Sequence, residues 1–207
     1  MVTKGRVERK KEETKQKIIS TALRLFRQFG FNAATMEQIA NEADIAKGTL
    51  YNYFPVKEEI LSEYIKTSFS QKNPGRIEHM KSLADTKARM ELILHELIEG
   101  VKAQKEIFEK YLTYRIQKVI SLEKDKDAKS GIESLSNEII RLGQQDGEIR
   151  SDIENGIIMD LFEFVFIEAA KQFYTNPEQF DEEKTIGLCV ELFLNAVKPT
   201  PKRRSTK

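Results

Sequence analysis

One cysteine, two histidines and almost no net charge leave few chemistries open to this 207-residue sequence. With Cys189 alone, no intrachain disulfide can form, and a reducing cytosol is the expected compartment. Cys189 stands in an apolar helical stretch and is expected to be a buried, inert thiol. His79 and His95 are too few, with that one cysteine, to build a catalytic zinc site. His95-Glu96 opens like a zinc-protease motif, but Glu99 occupies the place of the second histidine. No phosphate-binding loop, dinucleotide fingerprint or nucleophile elbow is present. An enzyme is therefore not expected, nor a cofactor or metal. Long apolar runs are missing as well. The most apolar stretch, "IIMDLFEFVFI", carries Asp160 and Glu163 and is too short to span a bilayer. The N-terminus, "MVTKGRVERKKEETK", lacks the apolar core of a secretory signal. The expectation is a soluble cytoplasmic protein with no membrane partner.

What is present is charge, unevenly placed. Charged residues make up 32% of the chain, yet the formal net charge is +1. Residues 1–30 hold nine Lys and Arg against Glu8, Glu12 and Glu13, a balance of +6. Residues 198–207 add five basic side chains and no acid, which leaves the middle at −10. A basic front on an acidic body suits an encounter with a polyanion, while a solvated terminus is the plainer reading of the same charges. The tail "PTPKRRSTK" is read as a frayed end.

Helical periodicity dominates and strand signals are scarce. Ile18, Ala22, Leu25, Phe26 and Phe29 recur at helical spacing before Gly30, a C-terminal stop. Thr35 with Gln38 three residues on forms a capping-box pattern for a second helix, "MEQIANEA". After "DIAK" a third helix carries "KGTLYNYF" and closes at Pro55. A fourth runs from Lys57 to about Phe69, and "QKNPGR" at 71–76 reads as a break. Amphipathic segments follow at about 77–102, 104–122, 128–146, 153–175 and 178–198. The fold class is all-α, with about nine helices: three short ones in front and a larger helical body behind.

The third helix has an unusual composition. At about 100° per residue, Leu50 and Phe54 point one way with Tyr51 beside them, and Gly48, Thr49, Asn52 and Tyr53 point the other. Lys47 stands at its start. The outward arc offers a methyl, a hydroxyl, a carboxamide, a phenol and a cation, with a glycine that permits close backbone approach. Those groups suit base edges and phosphates of a major groove, and two short helices joined by a tight turn make a helix-turn-helix.

Here "TMEQIANEADIAKGTLYNYFPVKEEIL" closely resembles the DNA-binding signature of the TetR family of bacterial transcriptional regulators, over about Lys15 to Leu61. "GQQDGEIRSDI" at 143–153 also resembles a connector seen before the last two helices of such proteins. The resemblance implies a DNA-binding domain over residues 1–56, with a basic N-terminal arm. It also implies an effector-binding and dimerisation domain over 57–198, followed by a disordered basic tail at 199–207. It implies that Lys47, Gly48, Thr49 and Asn52 lie nearest the base edges. Thr35, Tyr51, Tyr53 and Lys57 would hold phosphates, although the Tyr51 ring packed inside is an equal reading. Basic or polar residues often found at the Pro55 and Val56 positions are absent here. The basic N-terminal run has two readings, a minor-groove or phosphate-seeking arm and a solvated end.

The resemblance further implies a homodimer on a near-palindromic double-stranded operator and a repressor released by a small lipophilic effector. Ile186, Cys189, Val190, Phe193, Leu194 and Val197 make an apolar stripe, and 157–173, with Phe162 and Phe166, is rich in apolar residues. Both segments are candidates for the dimer interface, for an intrachain core, or for both. Leu97, Val101, Phe108, Tyr111, Leu112 and Arg115 are the candidate effector-binding residues. Two other readings compete: a DNA-binding architectural factor that senses nothing, and a helical ligand carrier or enzyme.

Overall fold

The computed structural model describes residues 5–120 and 131–200. Among these residues the chain is all-helical, with nine helices in order: α1 (Arg6–Phe29), α2 (Met36–Glu42), α3 (Lys47–Tyr53), α4 (Lys57–Lys81), α5 (Thr86–Ala103), α6 (Lys105–Ile120), α7 (Glu133–Gln145), α8 (Asn155–Thr175) and α9 (Glu182–Val197). Residues 201–207 of the expected basic tail lie outside the described residues. The chain divides into two compact units. One comes from the described parts of Met1–Thr67 and Lys110–Glu123, the other from those of Ser68–Glu109 and Lys124–Lys207.

In the first unit α1 does not start where its apolar face starts. Residues 5–13 are all exposed, and Ile18 is the first buried side chain. The basic run expected as an arm is thus helical from Arg6, its end closed by the Gly5 N–H donating to the Glu8 carboxylate at 3.2 Å. Gly30, at φ 82°, ends the helix and returns its N–H to the Phe26 carbonyl at 2.9 Å. That turn reverses an expectation about the core. Phe29 points outward at 51% exposure, and Phe31, beyond the glycine, is buried with its ring 4.9 Å from that of Phe26. Ile39, Ala40, Leu50, Phe54, Ile60 and Leu61 complete this core.

The second unit is built around α5, whose Met90, Ile93, Leu94, Leu97, Ile98 and Val101 are buried. The break expected at 71–76 is absent, because α4 runs through Pro74 to Lys81. Proline forfeits one helical hydrogen bond, but its neighbour Asn73 is buried and donates to the Gly131 carbonyl at 3.0 Å and to Ser134 Oγ at 2.7 Å. Arg76 adds a 2.7 Å bond to Glu96. These tertiary contacts override the local signal, and the true break falls at 82–85, where Asp85 caps α5 by accepting from the Ala88 N–H at 2.8 Å.

The 143–153 connector is closely fitted. A Cβ on Gly143 would stand 2.7 Å from the Ile149 side chain and from Thr86 Oγ1, so only glycine lets α7 come this near α5. Buried Arg89 donates to Asp146 at 2.6 Å and to the Leu83 carbonyl at 3.1 Å. The Arg150 N–H donates to the Val197 carbonyl at 2.8 Å at the end of α9.

Candidate nucleic-acid interface

Thr35 begins the helix-turn-helix with the reciprocal cap that its spacing predicts. Its Oγ accepts the Gln38 N–H at 3.1 Å, and its own N–H donates to Gln38 Oε1 at 2.9 Å. Three buried side chains, Ile39, Ala40 and Ala43, hold α2 down. The turn to α3 passes through Asp44 at φ 50°, a left-handed conformation that aspartate tolerates better than most residues. In it the Asp44 N–H donates to the Asn41 carbonyl and the Ile45 N–H to the Ala40 carbonyl, each at 3.1 Å.

On α3 the two arcs separate as the periodicity predicts. Leu50 and, just past the helix, Phe54 are buried; Lys47, Gly48 and Asn52 are exposed; Thr49 and Tyr53 are half-buried. Tyr51 is 42% exposed and so is not enclosed in the core of this unit. A Cβ at Gly48 would meet nothing within 4 Å. Packing among the described residues therefore gives no reason for glycine there.

Two of the candidate lysines are already engaged. Lys47 forms an ion pair with Glu37 of α2, which holds the Glu37 carboxyl below, and the Lys47 ammonium above, their ordinary values through the hydrogen bond first and charge attraction second. Lys57, expected to grip a phosphate, instead donates to the carbonyls of Phe31 at 2.7 Å, Asn32 at 3.2 Å and Ala34 at 3.2 Å. Its ammonium also stands 4.5 Å from the Phe31 ring centre. Neither arrangement is legible in local sequence, since the partners are 10 and 23 to 26 residues away.

The other candidate sets fall elsewhere. Leu97, Val101 and Phe108 are buried in the second unit, whereas Tyr111, Leu112 and Arg115 are buried in the first. Of the candidate dimer residues, Phe162, Phe166, Ile186, Val190, Phe193 and Val197 are buried inside the single chain, and Leu194 is half-buried. Phe162 and Phe193 meet edge to face at 6.2 Å between α8 and α9. Most of both stripes is thus covered within the chain, and the large apolar side chains left outward are Ile157, Leu161 and Phe164 on α8 and Leu188 and Leu192 on α9. Cys189 is half-buried rather than buried, with its thiol pushed up by burial and then by nearby Glu168. His95 binds Glu182 at 2.6 Å. No helix of the described residues is long and apolar enough to cross a membrane.

Comparison with known proteins points the same way as this geometry. The family described as bacterial regulatory proteins, tetR family, matches residues 18–64. The uncharacterized HTH-type transcriptional regulator YuxN of Bacillus subtilis is 39% identical over 75 residues. That match covers 36% of this chain and 25% of YuxN, so the chain spans about a quarter of that relative's length. The fatty acid metabolism regulator protein of the same organism is 24% identical over 188 residues, covering 87% of this chain and 93% of that protein. The fold matches that of Thermus thermophilus FadR, a TetR-family transcriptional repressor solved with lauroyl-CoA. There the TM-score is 0.66 and the identity 21%, over 93% of this chain and 100% of the other.

Proposed function

Because the chain belongs to the TetR family of bacterial transcriptional regulators, we propose that it is a homodimeric repressor in the cytoplasm that reads a near-palindromic operator and is released by a fatty acyl-CoA. The observation that carries the DNA-reading half is the outward arc of α3. Lys47, Gly48, Thr49 and Asn52 present a cation, an uncrowded backbone, a hydroxyl with a methyl, and a carboxamide, with no large aliphatic among them. Thr49 suits a thymine methyl, and Asn52 suits an adenine edge. Thr35, Tyr51 and Tyr53 would supply neutral phosphate contacts around it.

Dimerisation rests on the outward apolar arcs of α8 and α9, where Ile157, Leu161, Phe164, Leu188 and Leu192 are each at least 41% exposed. Two copies joined there would present two reading helices to successive half-sites about one helical turn apart. The acyl-CoA half rests on relatives: one is named for fatty acid metabolism, and one of the same fold was solved with lauroyl-CoA. Leu97, Val101, Phe108, Tyr111, Leu112 and Arg115 are the residues proposed to meet the effector. Effector binding would favour a conformer that leaves the reading helices wrongly spaced.

Selection of the purified protein on a random duplex pool, repeated with lauroyl-CoA, tests both halves. A two-fold symmetric motif that lauroyl-CoA abolishes is the expected result. Enrichment without a motif overturns operator reading, and a motif indifferent to lauroyl-CoA overturns the effector class.

A further inference from the structure

We infer that Lys57 is a positioning residue, which orients the reading helix by clasping the turn that leads into α2 and does not itself hold DNA. An ammonium has three N–H donors and no acceptor. In Lys57 all three find carbonyl oxygens, those of Phe31, Asn32 and Ala34, at 2.7 to 3.2 Å. The Phe31 ring centre also lies 4.5 Å from the ammonium nitrogen. To turn toward a phosphate, the side chain would have to abandon carbonyls of Phe31 and Ala34, two residues that are 4% and 1% exposed. Those oxygens would then lose a charge-assisted partner with little water to replace it.

The place of the clasp explains its effect. Residues 31–34 lie between Gly30, whose carbonyl accepts the Ala34 N–H at 3.2 Å, and Thr35, the cap of α2. This short turn sets where α2 starts, and the hydrogen-bonded turn at Asp44 ties α3 to α2. Lys57 opens α4, so its three bonds tie the first turn of α4 to the entrance of the helix-turn-helix. Loss of the clasp lets the reading helix adopt more than one orientation, which costs base recognition more than backbone attraction.

The proposal rests on the DNA-binding reading for one of its two tests and stands apart from it in the other. In the DNA-free protein, Lys57→Met should speed amide hydrogen exchange across residues 30–40 by about tenfold relative to wild type, with α8 and α9 as unchanged internal references. Unaltered exchange there overturns the clasp, whether or not the protein binds DNA. On the duplex enriched from the random pool, Lys57→Met should weaken specific binding about tenfold and binding to an unrelated duplex by less than twofold. The slope of log affinity against log salt should be unchanged. A uniform loss with a slope shallower by about 0.9 per half-site would identify Lys57 as a phosphate ligand and overturn the proposal. Lys57→Gln, which keeps a donor without the charge, should recover part of the specific affinity. If it behaves like Met and the slope also falls, Lys57 holds a phosphate and the proposal is overturned. If wild type enriches no duplex, the DNA-binding reading fails, while the exchange experiment still decides the clasp.

Discussion

Glu37 of α2 and Lys47 of α3 form an ion pair across the helix-turn-helix, so the cation proposed to lie nearest the base edges is held in the free protein by a neighbouring carboxylate. Both side chains are more than half exposed, and a phosphate can therefore compete for the lysine. Glu37→Gln should free that charge and strengthen binding to DNA of any sequence. Its salt slope should steepen by up to about 0.9 per protomer. Anisotropy titrations on an unrelated duplex at several salt concentrations check this, and an unchanged slope counts against the competition.

The same pair has a defined pH window. Glu37 is held below its ordinary value of 4.5, so its contribution to stability is complete above that value and is lost as pH falls through the lower folded-state value. Lys47 is held above 10.5, so its contribution is complete below that value and is lost as pH rises through the higher one. NMR titration of the Glu37 carboxyl should give a midpoint below 4.5 in wild type, returning toward 4.5 in Lys47→Met.

Gly48 separates folding from function. Nothing among the described residues crowds a Cβ there, and glycine is a poor helix former. Gly48→Ala should stabilise the DNA-free protein by about 0.5 kcal/mol. It should also weaken specific DNA binding, because the added methyl stands on the face proposed to approach the groove. Urea denaturation and duplex titration together read the two signs; a variant both more stable and equally tight would remove the close-approach argument.

For α8 and α9, two kinds of apolar residue should respond differently. Phe162 is fully buried in its own chain, so Phe162→Ala should cost about 3–5 kcal/mol of stability. Leu188 and Leu192 are 55% and 62% exposed, and replacing both with Glu should leave the fold intact while shifting sedimentation from dimer to monomer. A double variant that stays dimeric would place the interface elsewhere.

Arg89 and Asp146 should be unequal in the opposite sense. Removing the carboxylate leaves the buried guanidinium with the Leu83 carbonyl as its one remaining hydrogen-bond acceptor among the described residues. Asp146→Ala should therefore cost about 2 kcal/mol. In Arg89→Met the apolar stem is kept and Asp146, 41% exposed, returns to water, so the loss should be smaller. Thermal or urea unfolding of the two variants checks the order.

Much of this site is legible from the sequence because its chemistry is local. The Thr35–Gln38 cap and the two arcs of α3 depend on residues within one or two turns of each other. What escapes is long-range. The "QKNPGR" segment carries every local sign of a break, yet Asn73 finds partners some sixty residues away and the helix continues. Gly30 marks the end of α1, but whether Phe29 or Phe31 enters the core depends on where the turn sends the chain. Likewise an apolar stripe on α9 identifies which residues avoid water, and not whether their own chain or another copy covers them. Lys57 is a cation at the expected place whose hydrogen bonds are spent on a turn that precedes it by more than twenty residues.

The first two turns of α1 rest on no core, since residues 5–13 are exposed and burial begins only at Ile18. Starting a helix is costly and extending one is nearly free, and here the packed half of α1 has already met the starting cost. The overhanging turns form as an extension of a finished helix, with Arg6, Arg9 and Lys10 carried outward on it. Their coil-to-helix balance can therefore shift with salt, temperature or a nearby polyanion while the domain beneath keeps its stability. That segment acts as a responsive fringe whose reach into solution is set by its surroundings.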